Sequence, residues 1–198
     1  MSLPPWRSNL AASLHRNRSL IYSRYLQLAT IRPDGTPANR TIVFRGFLEN
    51  TNSLKFVTDS RTQKTQQINH NAAAEACWYF PKTREQYRIS GKLILITANY
   101  HDLTLQKARQ IAWQDLSETA RKQFTWPEPG QPKSENTPAF TPSLPDINEP
   151  LLNFCLLLLE PETIDYLELK GEPQNRMIYT KHNLENNIEN WLIQAVNP

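Results

Sequence analysis

The sequence predicts a mainly β protein whose strands pair antiparallel in a barrel or a sandwich, with a few short helices packed on it. Two observations predict this class. About nine short segments rich in β-branched, aromatic and leucine residues follow one another along the chain. Tight turns separate several of them, and tight turns join antiparallel neighbours. The chain has 198 residues, of which 39% are hydrophobic, so we expect one domain spanning residues 1–198.

The first elements follow from proline, periodicity and turn chemistry. Two prolines precede the apolar residues Trp6, Leu10 and Leu14, which are spaced four apart. This spacing predicts an N-terminal helix at about 4–16, opened by proline. The dipeptide Asp34-Gly35 then indicates a hairpin turn between the first two strands.

Strand-forming runs continue through the first half of the chain. Strands are expected at 25–31, 40–47, 54–58, 72–80 and 86–97. Gly91 marks a bend or a bulge in the last of them. Between the third and the fourth strand, Ser60 and Gln63 have capping-box spacing and predict a helix at about 61–69.

In the second half of the chain the spacing of the apolar residues first changes from that of strands to that of helices. Apolar residues at helical spacing in 103–124, with Ser117 as a second cap, predict two short helices. Residues 126–150 are rich in proline and have no clear period, so we expect a long surface loop. Further strands are expected at 151–160, 163–169, 176–181 and 190–196, the last with a helix as the alternative.

Composition narrows the function classes. The formal net charge of +3 is too small to indicate a nucleic-acid partner. The apolar runs are too short for a membrane span, and the N-terminus lacks a signal-peptide pattern. Cys77 and Cys155 each lie in an apolar run, which is typical of reduced core cysteines. A cytoplasmic protein is expected, without a membrane partner.

Several catalytic patterns are missing from the sequence. The four histidines are scattered without paired His or Cys spacing, so no metal site is expected. The five glycines form neither a Walker loop nor a GxGxxG fingerprint. No GxSxG elbow occurs, although a Ser/His/Asp triad stays open.

An anion site is the pattern that remains. Thr58 ends a strand, Ser60 precedes a helix and Lys64 lies in the first turns of that helix. A helix start offers unpaired N–H groups and partial positive charge, which suit a phosphate. Arg40, on the neighbouring strand, could reach the same place. The alternative is an ordinary capped surface helix.

Two further observations bear on this site. Arg40 and Arg45 are five positions apart, so in a flat strand they face opposite sides unless a bulge intervenes or two subunits meet there. Gln86 and Arg88 share a face of the long strand. The glutamine amide both donates and accepts, which suits the edge of a flavin or a similar heterocycle. The alternative is a pair of solvated residues.

The order and spacing of four segments resemble the pyridoxamine 5′-phosphate oxidase-like flavoproteins, over about residues 20–198. The segments are GTPANRTIVFR, FVTDSRTQK, EQYRISG and DYLELKGEPQNRMIY. The chain is similar in particular to the oxidase-related FMN-binding proteins common in cyanobacteria. The resemblance implies an antiparallel split β-barrel that forms a homodimer, with FMN as the cofactor at the interface.

The resemblance also implies which residues bind FMN. Arg40 would hold the phosphate, Arg45 replaces a lysine of the oxidases, and Gln86 matches a glutamine on the isoalloxazine ring. Tyr166 and Arg176 stand where the oxidases have a tryptophan and an arginine. The implied set is Arg40, Thr41, Ile42, Val43, Arg45, Val57, Thr58, Gln63, Lys64, Gln86, Tyr166 and Arg176.

The departures from the family concern the substrate. The oxidases hold the phosphate and ring of their substrate with an Arg-x-His segment, where this chain has Glu172-Pro173-Gln174. We therefore expect an FMN-dependent oxidoreductase with a different substrate. The alternatives are a non-catalytic FMN carrier or sensor, and a split barrel that binds another cofactor such as haem or deazaflavin. Apolar residues such as Trp78 and Leu93 are expected to face outward at the dimer interface.

Overall fold

The computed structural model describes residues 3–135, 137–183 and 189–198. The helices are α1 (Pro5–Asn17), α2 (Gln63–His70), α3 (Leu103–Gln114) and α4 (Glu118–Gln123). The strands are β1 (Tyr25–Ile31), β2 (Pro37–Val43), β3 (Leu54–Asp59), β4 (Ala73–Phe80), β5 (Glu85–Ile96), β6 (Phe154–Glu168), β7 (Asn175–Asn183) and β8 (Glu189–Val196). Every strand pair is antiparallel, which confirms the expected class.

The long strand β6 organises the sheet. The strand order is β2-β1-β4-β5-β6-β7-β8, and β3 also pairs with β6. The first half of β6, from Phe154 to Leu159, pairs with β3, whereas its second half, from Thr163 to Glu168, pairs with β7. The sheet therefore forks along β6, with β3 on one branch and the β7–β8 pair on the other.

The segment after β2 closes a barrel. Its backbone turns away from β1 and pairs with β3, through Arg45 N–H to Lys55 O and Lys55 N–H to Gly46 O, each at 2.8 Å. Phe47 and Leu54 form the next bridge. Six strands, β2-β1-β4-β5-β6-β3, thus enclose the interior, and β7 and β8 extend the sheet beyond it.

The expected strand 40–47 is wrong at both ends, because β2 begins at Pro37 and ends at Val43. Arg45 and Gly46 together face the single residue Lys55, which is the pattern of a bulge. Gly46 has a φ of +101°, a conformation that glycine adopts without steric cost. The bulge bends the chain from one side of the barrel to the next.

A second bulge explains why the single strand β6 replaces the two strands that were expected at 151–160 and 163–169. Ser90 pairs with Thr163 and Gly91 pairs with Pro161, so the chain continues through the proline with Glu162 unpaired. A Cβ at Gly91 would lie 1.9 Å from the carbonyl oxygen of Glu160. Gly91 therefore permits the close approach of β5 and β6, and the expected irregularity at this glycine is confirmed.

Two apolar clusters lie on either side of the barrel wall. One fills the barrel under α1, where Trp6 and Leu10 are fully buried, and the other lies between the wall and α3. Leu157 belongs to the first cluster and Leu156 to the second. Because both faces of this part of β6 are covered, its sequence is a continuous apolar run and not an alternation.

The expectation that Trp78 and Leu93 face outward is wrong. Trp78 is 0% exposed and Leu93 is 4% exposed, and both belong to the cluster inside the barrel. Side chains alternate along β4, so the outward positions beside Trp78 are Cys77 and Tyr79. Tyr79 is 46% exposed.

The helices differ from expectation mainly at one start. Helix α2 begins at Gln63 with Thr62 as its N-cap residue, and not at Arg61 after a Ser60 cap. The Ser60 N–H instead donates to Asn153 O at 2.8 Å. The two helices expected in 103–124 are confirmed, and the Ser117 hydroxyl caps α4 by accepting from Ala120 N–H.

The proline-rich segment 126–150 holds only a short 3-10 turn, Thr137–Phe140, within its described residues. It lies against α3, because Trp113 Nε1 donates to Asp146 O at 2.8 Å. Trp126 and Phe140 are in edge-to-face contact at 5.9 Å. None of the helices in the described part of the chain combines the length and apolar character that a membrane crossing needs.

Candidate functional site

A cleft of about 380 Å³ lies between the β1–β2 hairpin and the start of α2. The segment after α4 forms its remaining wall. Its lining residues are Arg32, Ala38, Asn39, Arg40, Thr62, Gln63, Lys64, Gln67, Pro129 and Gly130. Three of these side chains are cationic and none is acidic.

Arg40 is fixed at the cleft by uncharged acceptors. Its Nη1 donates to Leu28 O at 3.1 Å and to Thr30 Oγ1 at 2.5 Å. Its Nη2 donates to Gln67 Oε1 at 2.8 Å. Burial, and then the positive charge of Arg32, lower the pKa of the guanidinium below its ordinary value. The charge of Arg40 is oriented by these contacts but not neutralised.

Lys64 is the second half-buried cation. Its Nζ donates to Thr58 Oγ1, and to Thr62 Oγ1 at 3.4 Å. Burial, followed by the charge of Arg40, lowers the pKa of the ammonium group to about 8. Within the described residues neither Arg40 nor Lys64 forms an ion pair.

The start of α2 adds a third positive element. The Thr62 hydroxyl makes no cap to the helix backbone. The first N–H groups of a helix have no intrahelical acceptor, and the helix dipole places partial positive charge there. The cleft therefore combines two uncompensated cations with a helix start, an arrangement that favours an anion such as a phosphate.

The neighbouring Arg61 has the opposite character. Its guanidinium contacts both carboxylate oxygens of Asp59, at 2.6–3.2 Å. Asn153 Nδ2 donates to the same carboxylate at 2.7 Å. The charge of Arg61 is thus satisfied within the protein, whereas the charges of Arg40 and Lys64 are not.

The structure brings part of the expected set together. Arg40, Gln63 and Lys64 line the cleft, and Thr58 contacts the Lys64 ammonium. Val57, on the opposite face of β3 from Thr58, packs against the cluster under α3.

The other expected residues around β2 lie outside the cleft. Ile42 is buried in the barrel, Val43 is half-buried, and Thr41 is exposed. Arg45 is exposed, lies beyond the end of β2 in the bulge opposite Lys55, and is not among the residues that line the cleft. One chain alone therefore does not direct Arg40 and Arg45 at the same point.

Gln86 also lies away from the cleft. It is half-buried on the outer face of β5, where its Oε1 accepts from Cys77 Sγ at 3.9 Å. On the same face Arg88 is paired with Glu75 at 2.9 Å and with Asp165 at 3.4 Å. The Arg88 guanidinium is thus paired with carboxylates. The amide nitrogen of Gln86 makes no hydrogen bond to any residue that the structure describes.

Tyr166 and Arg176 are separated by the β6–β7 sheet. Tyr166 points into the barrel, where its hydroxyl donates to Glu85 Oε1 at 2.9 Å. Arg176 lies on the other face and holds Asp165 through two hydrogen bonds of 3.0 and 2.8 Å. Leu167 pairs directly with Arg176, whereas Tyr166 pairs with Met177, so Tyr166 and Arg176 do not share a face of the sheet.

Sequence reasoning missed several residues that line the cleft or support it. Gln67 follows Gln63 by four positions, so its place on the same helix face was readable from the sequence. Thr30 lies in β1, Arg32 follows β1, and Gly130 lies in the segment after α4, and no local pattern specifies that they meet. The missed residues include Arg32, Asn39, Thr62, Gln67 and Gly130, which line the cleft, and Thr30, which contacts Arg40 and Gln67.

The fold and the cleft define a class: an antiparallel split barrel with a cationic cleft at the start of a short helix. The family model for the FMN-binding domain of pyridoxamine 5′-phosphate oxidase matches residues 3–97. No cluster of His, Cys, Asp and Glu suited to a metal ion occurs in the part of the chain that the structure describes.

Similar proteins extend this match to the whole chain. A curated relative from Arabidopsis thaliana, pyridoxine/pyridoxamine 5′-phosphate oxidase 2, is 38% identical over 194 residues, which cover 98% of this chain and 97% of the relative. A crystal structure from Nostoc punctiforme, of a pyridoxamine 5′-phosphate oxidase-related, FMN-binding protein, is 56% identical with a TM-score of 0.94 and full coverage of both chains. PhzG from Burkholderia lata, at 17% identity, a TM-score of 0.76 and coverage of 98% and 91%, shares the fold.

The chain belongs to the pyridoxamine 5′-phosphate oxidase-related family of FMN-binding proteins. The resemblance stated from the sequence is thereby confirmed, together with the split-barrel fold and FMN as the cofactor.

Proposed function

We propose that this protein is an FMN-dependent oxidoreductase and that the cleft at the start of α2 holds the phosphate of FMN. The observation that carries the proposal is the pair Arg40 and Lys64. Both cations are directed into one cleft by neutral acceptors, without an ion-pair partner among the described residues. Two half-buried cations side by side are unfavourable until an anion offsets them.

The donor set fits a phosphate monoester. Such a group carries about −1.5 to −2 charges near pH 7 and offers three acceptor oxygens. Arg40 can donate through its planar fork, Lys64 through its ammonium, and α2 through its first amides. Thr58 and Thr62 hold the Lys64 ammonium without removing its charge.

Bound FMN supplies the redox chemistry, whereas the protein binds the cofactor, orients it and controls access. We assign the ring end of FMN to the outer face of β5, where Gln86 offers an amide. We further propose that Thr41, Val43 and Arg45 contact the cofactor along the exposed side of β2. Arg176, on the outer face of β7, completes the set.

We propose a homodimer with FMN at its interface, formed by a single domain of residues 1–198. The support is the distribution of the expected contacts over a cleft and an outer sheet face of one chain. A second copy on that outer face would bring the two groups together. Tyr25 and Tyr79 are each 46% exposed on neighbouring outward positions of β1 and β4, and they offer apolar surface for such a contact.

The substrate is proposed to differ from pyridoxamine 5′-phosphate. The exposed residues Glu172 and Gln174 stand where the resemblance places the substrate-binding arginine and histidine. A carboxylate there repels a substrate phosphate. The second candidate is pyridoxamine 5′-phosphate oxidase activity itself, which the name of the Arabidopsis relative favours. Arg84 and Glu172 line the same cleft, beside the loop between β6 and β7. Arg84 is the cation that could offset the negative charge of Glu172.

Hydrogen peroxide release separates these functions. The FMN-loaded protein is mixed with sub-millimolar pyridoxamine 5′-phosphate under air, and Arg45→Met and Arg84→Met are measured beside it. The proposal predicts little or no peroxide from any of the three proteins. Robust turnover that either substitution removes would establish the oxidase instead. Flavin reduction by NADH or NADPH, followed anaerobically, then distinguishes an oxidoreductase from a carrier that binds FMN without turnover.

A further inference from the structure

Gln67 is a buried amide at the floor of the cleft. It lies in the middle of α2 and is 5% exposed. Its Oε1 accepts two hydrogen bonds, from Arg40 Nη2 at 2.8 Å and from Thr30 Oγ1 at 2.6 Å. The resemblance assigns this residue no role in cofactor binding.

The hydrogen-bond partners of Gln67 determine the orientation of its amide group, with the oxygen toward Arg40 and Thr30. A guanidinium donates only, so the atom next to Arg40 must be the amide oxygen. The Thr30 hydroxyl accepts from Arg40 Nη1 at 2.5 Å, which leaves its own proton for Gln67 Oε1. A flipped amide would set its N–H groups against the Arg40 guanidinium, which cannot accept, so the orientation follows from chemistry.

The amide nitrogen of Gln67 is consequently left unused. Gln67 Nε2 makes no hydrogen bond to any residue that the structure describes, although Gln67 lines the cleft with Arg40 and Lys64. An amide nitrogen carries two N–H donors, and donors next to a cationic cleft suit an anionic oxygen.

We propose that Gln67 is itself a ligand of the FMN phosphate: Nε2 donates to a phosphate oxygen while Oε1 holds Arg40 in place. This inference rests on the proposed phosphate site and adds a neutral donor to its two cations. Gln67 would contribute to binding in two separable ways, one through Arg40 and one directly.

A double-mutant cycle separates the two contributions. FMN and riboflavin affinities are measured by flavin fluorescence for the wild type, Gln67→Met, Arg40→Met and the double variant. A hydrogen bond to a charged acceptor corresponds to about tenfold or more in affinity. The proposal predicts that Gln67→Met weakens FMN binding by about this factor in the Arg40→Met background, where only direct donation is lost, and by more in the wild type, where both contributions are lost. Riboflavin lacks the phosphate, so its affinity should not change.

The results distinguish a failure of the Gln67 inference from a failure of the proposed phosphate site. If Gln67→Met has no effect once Arg40 is replaced, Gln67 acts only by positioning Arg40, and the inference is overturned. If Arg40→Met leaves FMN affinity unchanged, the phosphate site itself is wrong.

A second variant keeps the inference testable if Gln67→Met misfolds. Gln67→Glu retains an acceptor for Arg40 and Thr30 but replaces the N–H donors by a carboxylate oxygen. It should fold and lose more FMN affinity than any neutral substitution, because the new charge faces the phosphate. Wild-type FMN affinity in Gln67→Glu would refute direct donation.

Discussion

Arg61 Nη2 lies 2.6 Å from Asp59 Oδ2, and this ion pair follows directly after β3, next to the cleft residue Thr62. The same guanidinium donates to Trp126 O at 2.9 Å and to Phe124 O at 3.1 Å. The pair therefore ties the end of β3 to the segment after α4, which supplies Pro129 and Gly130 to the cleft. Its charges cancel locally, whereas Arg40 and Lys64 have no ion-pair partner among the described residues.

Replacing Arg61 should destabilise the protein and loosen this wall. Arg61→Met leaves the carboxylate of Asp59, whose side chain is 12% exposed, with the backbone N–H of residue 61 and Asn153 Nδ2 as donors but without a cation. We expect a loss of about 1–3 kcal/mol in the free energy of unfolding, and faster amide exchange in residues 124–130. Lys92→Met, which breaks a pair exposed by 66% and 53%, is the control and should cost under about 1 kcal/mol. Equal losses in the two variants would show that the Arg61 pair has no special weight.

Lys64 should make the free energy of unfolding of the cofactor-free protein depend on pH in the alkaline range. Its pKa of about 8 in the folded chain is below the ordinary lysine value of 10.5. Between these values the unfolded chain binds more protons, so the free energy of unfolding rises with pH across this window. Below pH 8 the ammonium of Lys64 is charged although it is partly desolvated, and this charge costs stability.

The comparison with Lys64→Met isolates this contribution from the other titrating groups. The difference in unfolding free energy between wild type and Lys64→Met, measured by denaturant titration from pH 7 to pH 10.5, should move in favour of the wild type as pH rises. A difference that stays constant with pH would mean that Lys64 is not perturbed by burial.

Gly91 should tolerate no side chain. The Cβ of Gly91→Ala would meet the Glu160 carbonyl oxygen at 1.9 Å, between two strands that cannot separate without breaking the barrel. We expect a loss of more than about 3 kcal/mol, visible as a lower midpoint of thermal unfolding. Gly35→Ala is the control, because its φ of +82° is strained but its surroundings are open, which costs about 1 kcal/mol. Comparable midpoints for the two variants would contradict the close approach at Gly91.

The proposed dimer should depend on the outer sheet face. Tyr79→Asp places a charge at a 46% exposed position of β4, and Ile111→Asp does the same at a 44% exposed position of α3. Light scattering should give a dimer for the wild type and Ile111→Asp, and a monomer for Tyr79→Asp. A monomeric wild type that still binds FMN would exclude an interface site.

Much of the fold was readable from the sequence because local signals agree with the final structure. The Asp34-Gly35 turn, the Ser117 cap and the irregularity at Gly91 are local features, and each was predicted. The outward assignment of Trp78 failed because an apolar run does not reveal which of its faces is inside. The prediction of two strands in place of β6 failed for a different reason. Proline normally ends a strand, but a bulge opposite Gly91 lets β6 continue through Pro161.

The site was readable only in part. Arg40 and Lys64 follow from a strand, a helix start and the family resemblance. The role of Gln67 depends on hydrogen bonds to Arg40 and Thr30, residues 27 and 37 positions away in the chain. Such long-range contacts are set by the closure of the barrel, and no local pattern specifies them.

The most direct measurement of the central claim compares FMN with riboflavin, which differ by one phosphate. Flavin fluorescence titration is performed with the wild type, Arg40→Met, Lys64→Met and the exposed control Lys92→Met. If the cleft holds the phosphate, the wild type and the control bind FMN more tightly than riboflavin. Arg40→Met and Lys64→Met then each lose about tenfold or more in FMN affinity with riboflavin affinity unchanged. Equal affinities of the wild type for the two flavins, or unaltered FMN affinity in both cleft variants, would contradict the account.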